Sequence, residues 1–231
     1  ISNISKKTII TNKDIKYKNK NNEIDISFII PLRGKNESIK HLEASIKKYF
    51  KNYKYEIIYV IQSDDKLFKR GQLANIGFVE SNGKYVIIHD ADVVHFREID
   101  LEKVYKSIGP FCAFDSISQI SINERNEYDI RITEKRLNGW GGCTVFSHDD
   151  FYKKNGFSNL CRGWGAEDNI LEKKYNLHRI EQNLGHIEHP RLNNENKNST
   201  EFNRKILGLY TENKINFDDD GFKQMRYNII R

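Results

Sequence analysis

Three short apolar segments alternate with two amphipathic segments between residues 25 and 92, and this alternation restricts the possible folds more than any other feature of the sequence. The apolar segments "DISFIIPLRG", "YEIIYVIQ" and "KYVIIHDAD" have the length and residue types of strands. Residues 38–50 predict a helix with Ser38 as its N-cap, and residues 70–81 predict a second helix. Alternating strands and helices form right-handed parallel crossovers, so the sequence predicts an α/β fold with a mixed, mostly parallel central sheet flanked by helices.

The carboxyl ends of these strands should meet at one edge of the sheet, where α/β proteins bind their ligands. Residues 31–35, 62–68 and 90–92 are expected at that edge. Residues 28–30 are continuously apolar, which predicts a strand that is buried on both faces and ends at Pro31, and we expect the second strand to be buried as well. Further along, residues 167–175 predict a helix and residues 178–183 a strand.

The 231 residues fit one domain, predicted over residues 24–231 after a polar N-terminal arm or peripheral helix over residues 1–23. With 38% hydrophobic and 30% charged residues, the chain has the composition of a globular protein, not of a membrane span or a disordered tail. The chain begins with Ile1 and not with Met. One interpretation is that it is a fragment of a longer protein and lacks a membrane anchor or an additional domain.

The net charge of +6 and the pI near 9.0 favour an anionic partner, which could be a nucleotide diphosphate, an anionic lipid surface or a nucleic acid. Nucleic acid is disfavoured because it calls for basic and aromatic residues clustered on one surface, whereas aromatic residues such as Phe28, Tyr59 and Tyr85 fall in the predicted strands. Cys112, Cys143 and Cys161 lack zinc-ligand spacing and are predicted to be free buried thiols in a reducing compartment. We therefore expect a cytoplasmic location, with peripheral contact at the inner membrane face, or alternatively a luminal piece of an anchored Golgi-type enzyme.

Asp90 and Asp92 directly follow the third apolar segment. Two close carboxylates repel each other and are costly to desolvate, so they favour a bound cation or a buried hydrogen-bond network. A divalent ion that bridges to a diphosphate meets this need. The alternative interpretation is an ordinary turn at the end of a strand.

The stretch "RGWGAEDNIL" places Trp164 between two glycines and directly before Glu167 and Asp168. Glycines let the backbone approach a ligand closely, and an indole offers the flat apolar face on which sugar rings stack. Either acid alone could be a first-turn residue that faces the helix dipole. That interpretation does not account for the tryptophan.

His186 and His189 in "GHIEHP" are expected to converge in a turn. Neutral imidazoles bind Mn²⁺ or Zn²⁺ well and Mg²⁺ poorly. A structural role for both histidines is the alternative.

In this order, these motifs resemble the β-1,4-galactosyltransferase-like glycosyltransferases, which have the GT-A fold for nucleotide-sugar binding. "FIIPLRGKNE", "FKRGQLANIGF", "HDADVV", "GWGGCTVFS" and "GWGAEDN" are similar to the family's motifs, and "FNRKILGL" and "DDDGF" continue the resemblance. Polypeptide N-acetylgalactosaminyltransferases and bacterial chondroitin-type polymerases share part of the pattern. The resemblance extends over roughly residues 24–225.

The resemblance implies transfer of a hexose or N-acetylhexosamine from a UDP-sugar with the help of Mn²⁺, or of Mg²⁺ as the alternative. It implies that the metal ligands are Asp92, His186 and His189. It implies that the donor is bound by Pro31, Arg33, Phe68, Arg70, Asp90, Gly139, Trp140 and Gly141. Gly139 stands where the family often has a tyrosine, so we expect room for the N-acetyl group of UDP-GalNAc or UDP-GlcNAc as well as for UDP-galactose.

For the acceptor, the resemblance implies that Asp168 is the catalytic base and that Trp164, Gly165 and Glu167 bind a saccharide or glycolipid. A carboxylate base for the attacking hydroxyl favours single displacement with inversion, although a retaining mechanism stays open. Residues 190–200 are expected to be a mobile loop that closes over the donor. A different class of function, an inactive sugar-nucleotide-binding module of a larger polymerase in polysaccharide or glycoconjugate synthesis, is the alternative.

Overall fold

A computed structural model describes residues 7–10, 23–34, 36–113, 116–122, 128–135, 140–180, 183–187 and 196–230. The strands are β1 (Lys7–Ile10), β2 (Ile26–Arg33), β3 (Tyr55–Gln62), β4 (Tyr85–His89), β5 (Val93–His95), β6 (Phe111–Cys112), β7 (Ser116–Ile122), β8 (Tyr128–Lys135), β9 (Cys143–Ser147), β10 (His178–Arg179), β11 (Asn183–Ile187) and β12 (Tyr227–Ile230). The α-helices are α1 (Ile39–Tyr49), α2 (Arg70–Glu80), α3 (Leu101–Ile108), α4 (His148–Lys153), α5 (Glu167–Tyr175) and α6 (Asn196–Thr211), followed by 3-10 turns at Phe217–Asp219 and Phe222–Gln224.

A six-stranded sheet forms the centre of the fold, in the order β10-β6-β9-β4-β2-β3. The pairs β4/β2, β2/β3 and β10/β6 are parallel, while β9 runs antiparallel to both of its neighbours. On β2, Phe28 and Ile30 pack in one apolar cluster and Ile29 in a second one. Successive side chains of a strand point to opposite faces, so both faces of the sheet are buried. The predicted α/β fold with a mixed, mostly parallel sheet is confirmed.

The second strand differs from the expectation of a fully buried strand. Among the described strands, β3 pairs only with β2 and forms one edge of the central sheet. Its residues are half-buried, and Ile61 is 61% exposed. A continuous apolar run is compatible with a buried or an edge position, since periodicity describes the strand and not its neighbours.

Pro31 does not end the first strand as predicted, because β2 continues to Arg33. The registered pairs between β2 and β4 stop at Ile29, whereas the pairing with β3 continues from Pro31 to Arg33. Proline lacks a backbone N–H and is tolerated where a strand has a partner on one side only. The strand therefore extends past its last contact with β4.

The first two helices lie where the sequence predicts them. Ser38 occupies the N-cap position of α1, but its side chain makes no capping hydrogen bond. Its backbone N–H instead donates to Asn36 Oδ1 at 2.9 Å. A turn before the helix thus replaces the expected serine cap.

A second sheet has the order β5-β11-β7-β8, and its strands alternate along the chain with strands of the central sheet. His186 lies on β11 opposite Val93 of β5, so it belongs to a strand and not to the predicted turn. Of the strand expected over residues 178–183, the described residues form β10 at His178–Arg179 and the start of β11 at Asn183, while residues 181 and 182 lie outside the described part of the chain.

The N-terminal arm and the loop predicted over residues 190–200 both differ from the sequence interpretation. Residues Lys7–Ile10 of the predicted arm form a strand that pairs antiparallel with β12, not a helix. The predicted loop over residues 190–200 is helical from Asn196 onward, because α6 begins there, and its earlier part lies outside the described residues.

All three cysteines are buried free thiols, as predicted. Among the described helices, none is both long and apolar enough for a membrane crossing.

Candidate active site

The carboxyl ends of β2 and β3 form one wall of the candidate site. The side chain of Gln62 organises the loop after β3, since its Nε2 donates to Lys66 O at 2.9 Å and its Oε1 accepts from Lys69 N–H at 2.9 Å. Arg33 Nη2 reaches Asp65 O of the same loop at 3.3 Å. The predicted meeting of the strand ends is thus present, with Arg33 exposed and Pro31 buried.

Arg70 connects two acids that are far apart in the chain. Its side chain is 8% exposed, and Nε lies 2.6 Å from Asp90 Oδ1 while Nη1 lies 3.1 Å from Asp168 Oδ1. Burial alone would lower the pKa of Arg70, but the Asp90 and Asp168 carboxylates raise it above its ordinary value. The guanidinium therefore remains charged and holds the starts of α2 and α5 at the sheet edge. Because Nε and Nη1 of Arg70 already pair with the two carboxylates, the expected contact of Arg70 with the UDP-sugar stays a prediction.

Asp92 and His186 come together at the same edge. Asp92 O accepts from Ile187 N–H at 2.7 Å, which joins the segment after β4 to β11. Asp92 Oδ2 and His186 Nε2 lie 3.3 Å apart, with side chains 19% and 22% exposed. Nitrogen and oxygen ligands about 2.1 Å from one ion lie about 3 Å from each other, so this donor pair fits a divalent transition ion. The third predicted ligand, His189, lies outside the described residues.

The turn before α5 has an unusual backbone. Gly163, Gly165 and Ala166 all have positive φ angles of 68°, 101° and 67°. A side chain at Gly163 would place its Cβ 2.5 Å from Ser199 Cβ, so only glycine fits there. A non-glycine residue such as Ala166 in this region stores about 1–3 kcal/mol of strain, a feature common at functional sites. Trp164, between the two glycines, is 63% exposed.

Helix α6 fixes this turn through two polar residues on its buried face, Ser199 and Asn203. Asn203 is fully buried; its Oδ1 accepts from Arg162 N–H at 3.1 Å, and its Nδ2 donates to Arg162 O at 3.0 Å and Gly165 O at 2.7 Å. Ser199 Oγ accepts from Trp164 N–H at 3.2 Å. No role for Asn203 followed from the sequence, although it lies in "FNRKILGL", which belongs to the predicted family pattern. A polar residue on the apolar side of a helix was the available signal.

The two adjacent acids lie in the first turn of α5, half-buried against the sheet edge. Burial raises the pKa of Glu167, and the Asp168 carboxylate raises it further. Burial also raises the pKa of Asp168, although Arg70 acts in the opposite direction. A Cβ on Gly141 would lie 2.3 Å from Asp168 Oδ2, so the loop before β9 contacts this carboxylate directly. Glu167 Oε2 has no hydrogen-bond partner among the described residues.

The remaining predicted site residues include Phe68, Trp140 and Gly139. Gly163 N–H donates to Phe68 O at 2.7 Å, which joins the loop after β3 to the turn before α5 that carries Trp164 (the tryptophan turn). Trp140 is half-buried, and the Arg179 guanidinium lies 4.0 Å from its ring centroid. Gly139 lies outside the described residues. The structure thus brings the described candidates to one edge, while their individual roles stay predictions.

Two family profiles match the chain and together cover most of it. Residues 2–106 match the profile described as "N-terminal region of glycosyl transferase group 7", and residues 122–196 match the profile described as "N-terminal domain of galactosyltransferase". Human β-1,4-galactosyltransferase 4 is 29% identical over 162 residues, which are 67% of this chain and 43% of that protein. Mouse β-1,4-galactosyltransferase 1 is 26% identical over 212 residues, 89% of this chain and 51% of that protein. The chain spans about half the length of the curated relatives it matches.

Solved structures share the fold. A mutant of Drosophila β-1,4-galactosyltransferase 7, in complex with manganese, UDP-Gal and xylobiose, matches with a TM-score of 0.61 and 21% identity over 84% of this chain and 83% of that one. The catalytic domain of the same enzyme with xylobiose matches with a TM-score of 0.58 and 17% identity over 90% of this chain and 93% of that one. The likeness confirms the predicted GT-A architecture.

Proposed function

The chain belongs to the β-1,4-galactosyltransferase-like glycosyltransferase family, and from this premise we propose that it is a metal-dependent transferase that moves a sugar from a UDP-sugar to a saccharide hydroxyl. The observation that carries the proposal is the meeting, at one sheet edge, of the Asp92–His186 pair with Asp168, which Arg70 holds in place. The transferred sugar is a hexose or N-acetylhexosamine, namely Gal, GalNAc or GlcNAc. The product belongs to a polysaccharide or glycoconjugate.

Asp92, His186 and His189 would hold the metal ion, and Mn²⁺ suits this mixture of carboxylate and imidazole ligands. The bound ion supplies positive charge for the departing UDP, so that no proton has to be transferred to it. The manganese and UDP-Gal bound to the Drosophila relative support Mn²⁺ as the metal and a UDP-sugar as the donor. Phe68 and Arg33 belong to the wall where the uridine would lie, and Asp90 is held beside the metal ligands by Arg70.

Asp168 acts in this proposal as the general base for the acceptor hydroxyl. A raised pKa makes a carboxylate a stronger base, and the ion pair with Arg70 keeps it ionised before the reaction. Trp164 offers its exposed indole for the acceptor ring, and Glu167 and Gly165 lie beside it as hydrogen-bonding groups. Direct attack with inversion at the anomeric carbon follows from a base on the acceptor side.

A thermal-shift panel tests the proposal. We expect UDP-sugars to raise the unfolding temperature in the presence of Mn²⁺ and not in the presence of a chelator. His186→Ala should abolish this metal-dependent shift. Asp168→Asn should remove transfer while donor binding persists, because asparagine cannot accept the acceptor proton. Loss of both donor binding and transfer in Asp168→Asn would contradict its assigned role, and donor binding without turnover in the unmodified chain would indicate the inactive binding module.

The choice of donor is a separate part of the proposal. With glycine at position 139, UDP-GalNAc and UDP-GlcNAc should be accepted at least as well as UDP-galactose. Competition among the three donors in one turnover assay measures this preference, and strict use of galactose contradicts it. Contact with the inner membrane face, suggested by the net charge of +6, stays a prediction that binding to anionic vesicles would test.

A further inference from the structure

His89, His95 and Cys143 form a buried cluster below the candidate active site. They lie at the end of β4, the end of β5 and the start of β9, and are 0%, 3% and 1% exposed. His89 and Cys143 are directly paired across β4 and β9. One ligand atom from each of the three side chains lies within 4.8 Å of the other two. Two imidazoles and a thiol are therefore gathered in the apolar interior.

The hydrogen bonds determine which imidazole nitrogens carry protons. His89 Nδ1 lies 2.7 Å from Asp90 O, and a carbonyl can only accept, so Nδ1 is the protonated nitrogen and Nε2 is bare. Metal-bound histidines commonly donate their second ring N–H to a backbone carbonyl in this way. His95 Nε2 lies 2.9 Å from His89 Nε2. If it donates to that atom, His95 Nδ1 becomes a bare acceptor.

That acceptor has no hydrogen-bond partner among the described residues, although it is buried. A buried polar atom without a hydrogen bond lowers the stability of the folded protein. A hydrogen bond between His89 and His95 alone therefore does not explain why these side chains are buried together. A cavity of about 10 Å³ adjoins both His95 and Cys143, and apolar residues such as Phe50, Ile87 and Val145 form most of its remaining wall. A cavity of this size is at the lower limit of what can hold one water molecule.

We propose that His89, His95 and Cys143 form a structural binding site for Zn²⁺ or a similar thiophilic ion. Nitrogen and sulfur ligands select such ions over Mn²⁺ and Mg²⁺, so this site is chemically different from the one at Asp92 and His186. On binding, the metal–sulfur bond replaces the S–H bond of Cys143, and the thiol proton leaves to solvent. The cavity beside His95 and Cys143 gives room for a water as a further ligand.

The cluster lies where a bound ion would connect three segments of the candidate active site. β4 leads into Asp90 and Asp92, β5 pairs with the strand that carries His186, and the loop before β9 contains Gly141, which touches Asp168. An ion bound to all three strands would hold these segments in one arrangement. The site would stabilise the active-site edge without contacting a substrate.

Cobalt provides the test, because Co²⁺ binds zinc sites and a cobalt–thiolate bond absorbs in the near ultraviolet. The full chain is stripped with a chelator and titrated with Co²⁺. We expect one equivalent to produce the charge-transfer band, one proton to be released for each ion bound, and Zn²⁺ to displace the cobalt. Cys143→Ser should lose the band, and His95→Gln should weaken Co²⁺ binding by at least about tenfold.

Two control variants make the result specific. Cys161→Ser alters another buried free thiol and should keep the band. His186→Ala removes a ligand of the proposed catalytic metal and should also keep the band while it loses Mn²⁺-dependent donor binding. Absence of a thiolate band in the unmodified chain, or its persistence in Cys143→Ser, would overturn the proposal. Neither result depends on whether the chain transfers sugars.

Discussion

Replacement of Asn203 by leucine would remove the side chain that fixes the turn around Trp164. Leucine has nearly the same size and keeps the packing of α6, but it can neither accept from Arg162 N–H nor donate to Arg162 O and Gly165 O. Those three backbone groups would then lack their protein partner. The turn cannot recover the bonds locally, because its positive φ angles take it out of regular secondary structure.

The magnitude follows from these three hydrogen bonds. Each buried polar group left without a partner costs about 1–3 kcal/mol, and water can reach part of this turn because Arg162 is exposed, so we expect a loss of about 3 kcal/mol in the free energy of unfolding. For a chain of this size, that loss lowers the unfolding temperature by about 6–12 °C. Because Trp164 is held by the same turn, the KM for the saccharide acceptor should rise, while the Kd for the UDP-sugar stays unchanged.

Asn75→Leu is the matched control for this experiment. Asn75 is also fully buried, and its side chain makes three hydrogen bonds, with Phe157 O, Phe157 N–H and Asn159 Oδ1. This variant should lose a comparable amount of stability without a change in acceptor KM when it is assayed well below its unfolding temperature. Equal acceptor KM values for Asn203→Leu and the unmodified chain, or an equal rise in both variants, would refute the reasoning.

Three further predictions concern the site and its support. Gly141→Ala should lower kcat by about 100-fold in a turnover assay, because a Cβ placed 2.3 Å from Asp168 Oδ2 would displace that carboxylate; unchanged turnover would contradict this contact. Arg70→Met should lower the free energy of unfolding in urea by about 3–5 kcal/mol, since Asp90 and Asp168 lose their shared cation, and a loss below about 1 kcal/mol would argue against the buried ion pairs. Burial lowers the pKa of Lys174 to about 8, so between pH 8 and the ordinary lysine pKa this group binds more protons in the unfolded chain, and its own contribution to the free energy of unfolding should rise with pH. Burial raises the pKa of the three cysteine thiols, which contribute a slope of the opposite sign. The free energy of unfolding of the unmodified chain minus that of Lys174→Met, measured by urea titration, should therefore increase with pH across that range, and a constant difference would contradict the lowered pKa.

Local patterns in the sequence were sufficient for the elements that lead to the site. Apolar segments of strand length and helices with one apolar face are determined by neighbouring residues, because backbone geometry sets their periodicity. The placement of β2, α1, α2 and β4, and the position of Asp90 directly after β4, followed from these patterns. The ordered motifs then identified the family and predicted the residues expected to bind donor, metal and acceptor.

Other features depend on which segments become neighbours in space, and periodicity carries no information about this. β3 is an edge strand because, in the part of the chain that the structure describes, β2 is its one partner. The ion pair between Arg70 and Asp168 joins residues 98 positions apart. The hydrogen bonds of Asn203 with the tryptophan turn and the cluster of His89, His95 and Cys143 likewise join separate segments.

The sequence by itself thus determined the fold class and the residue types of the candidate site, since both are written in local spacing and in short motifs. Only the tertiary structure decided which two carboxylates Arg70 neutralises, which helix holds Trp164 and which side chains gather in the interior. Those outcomes are set by the packing of the whole chain, because burial and long-range hydrogen bonds arise only when distant segments meet.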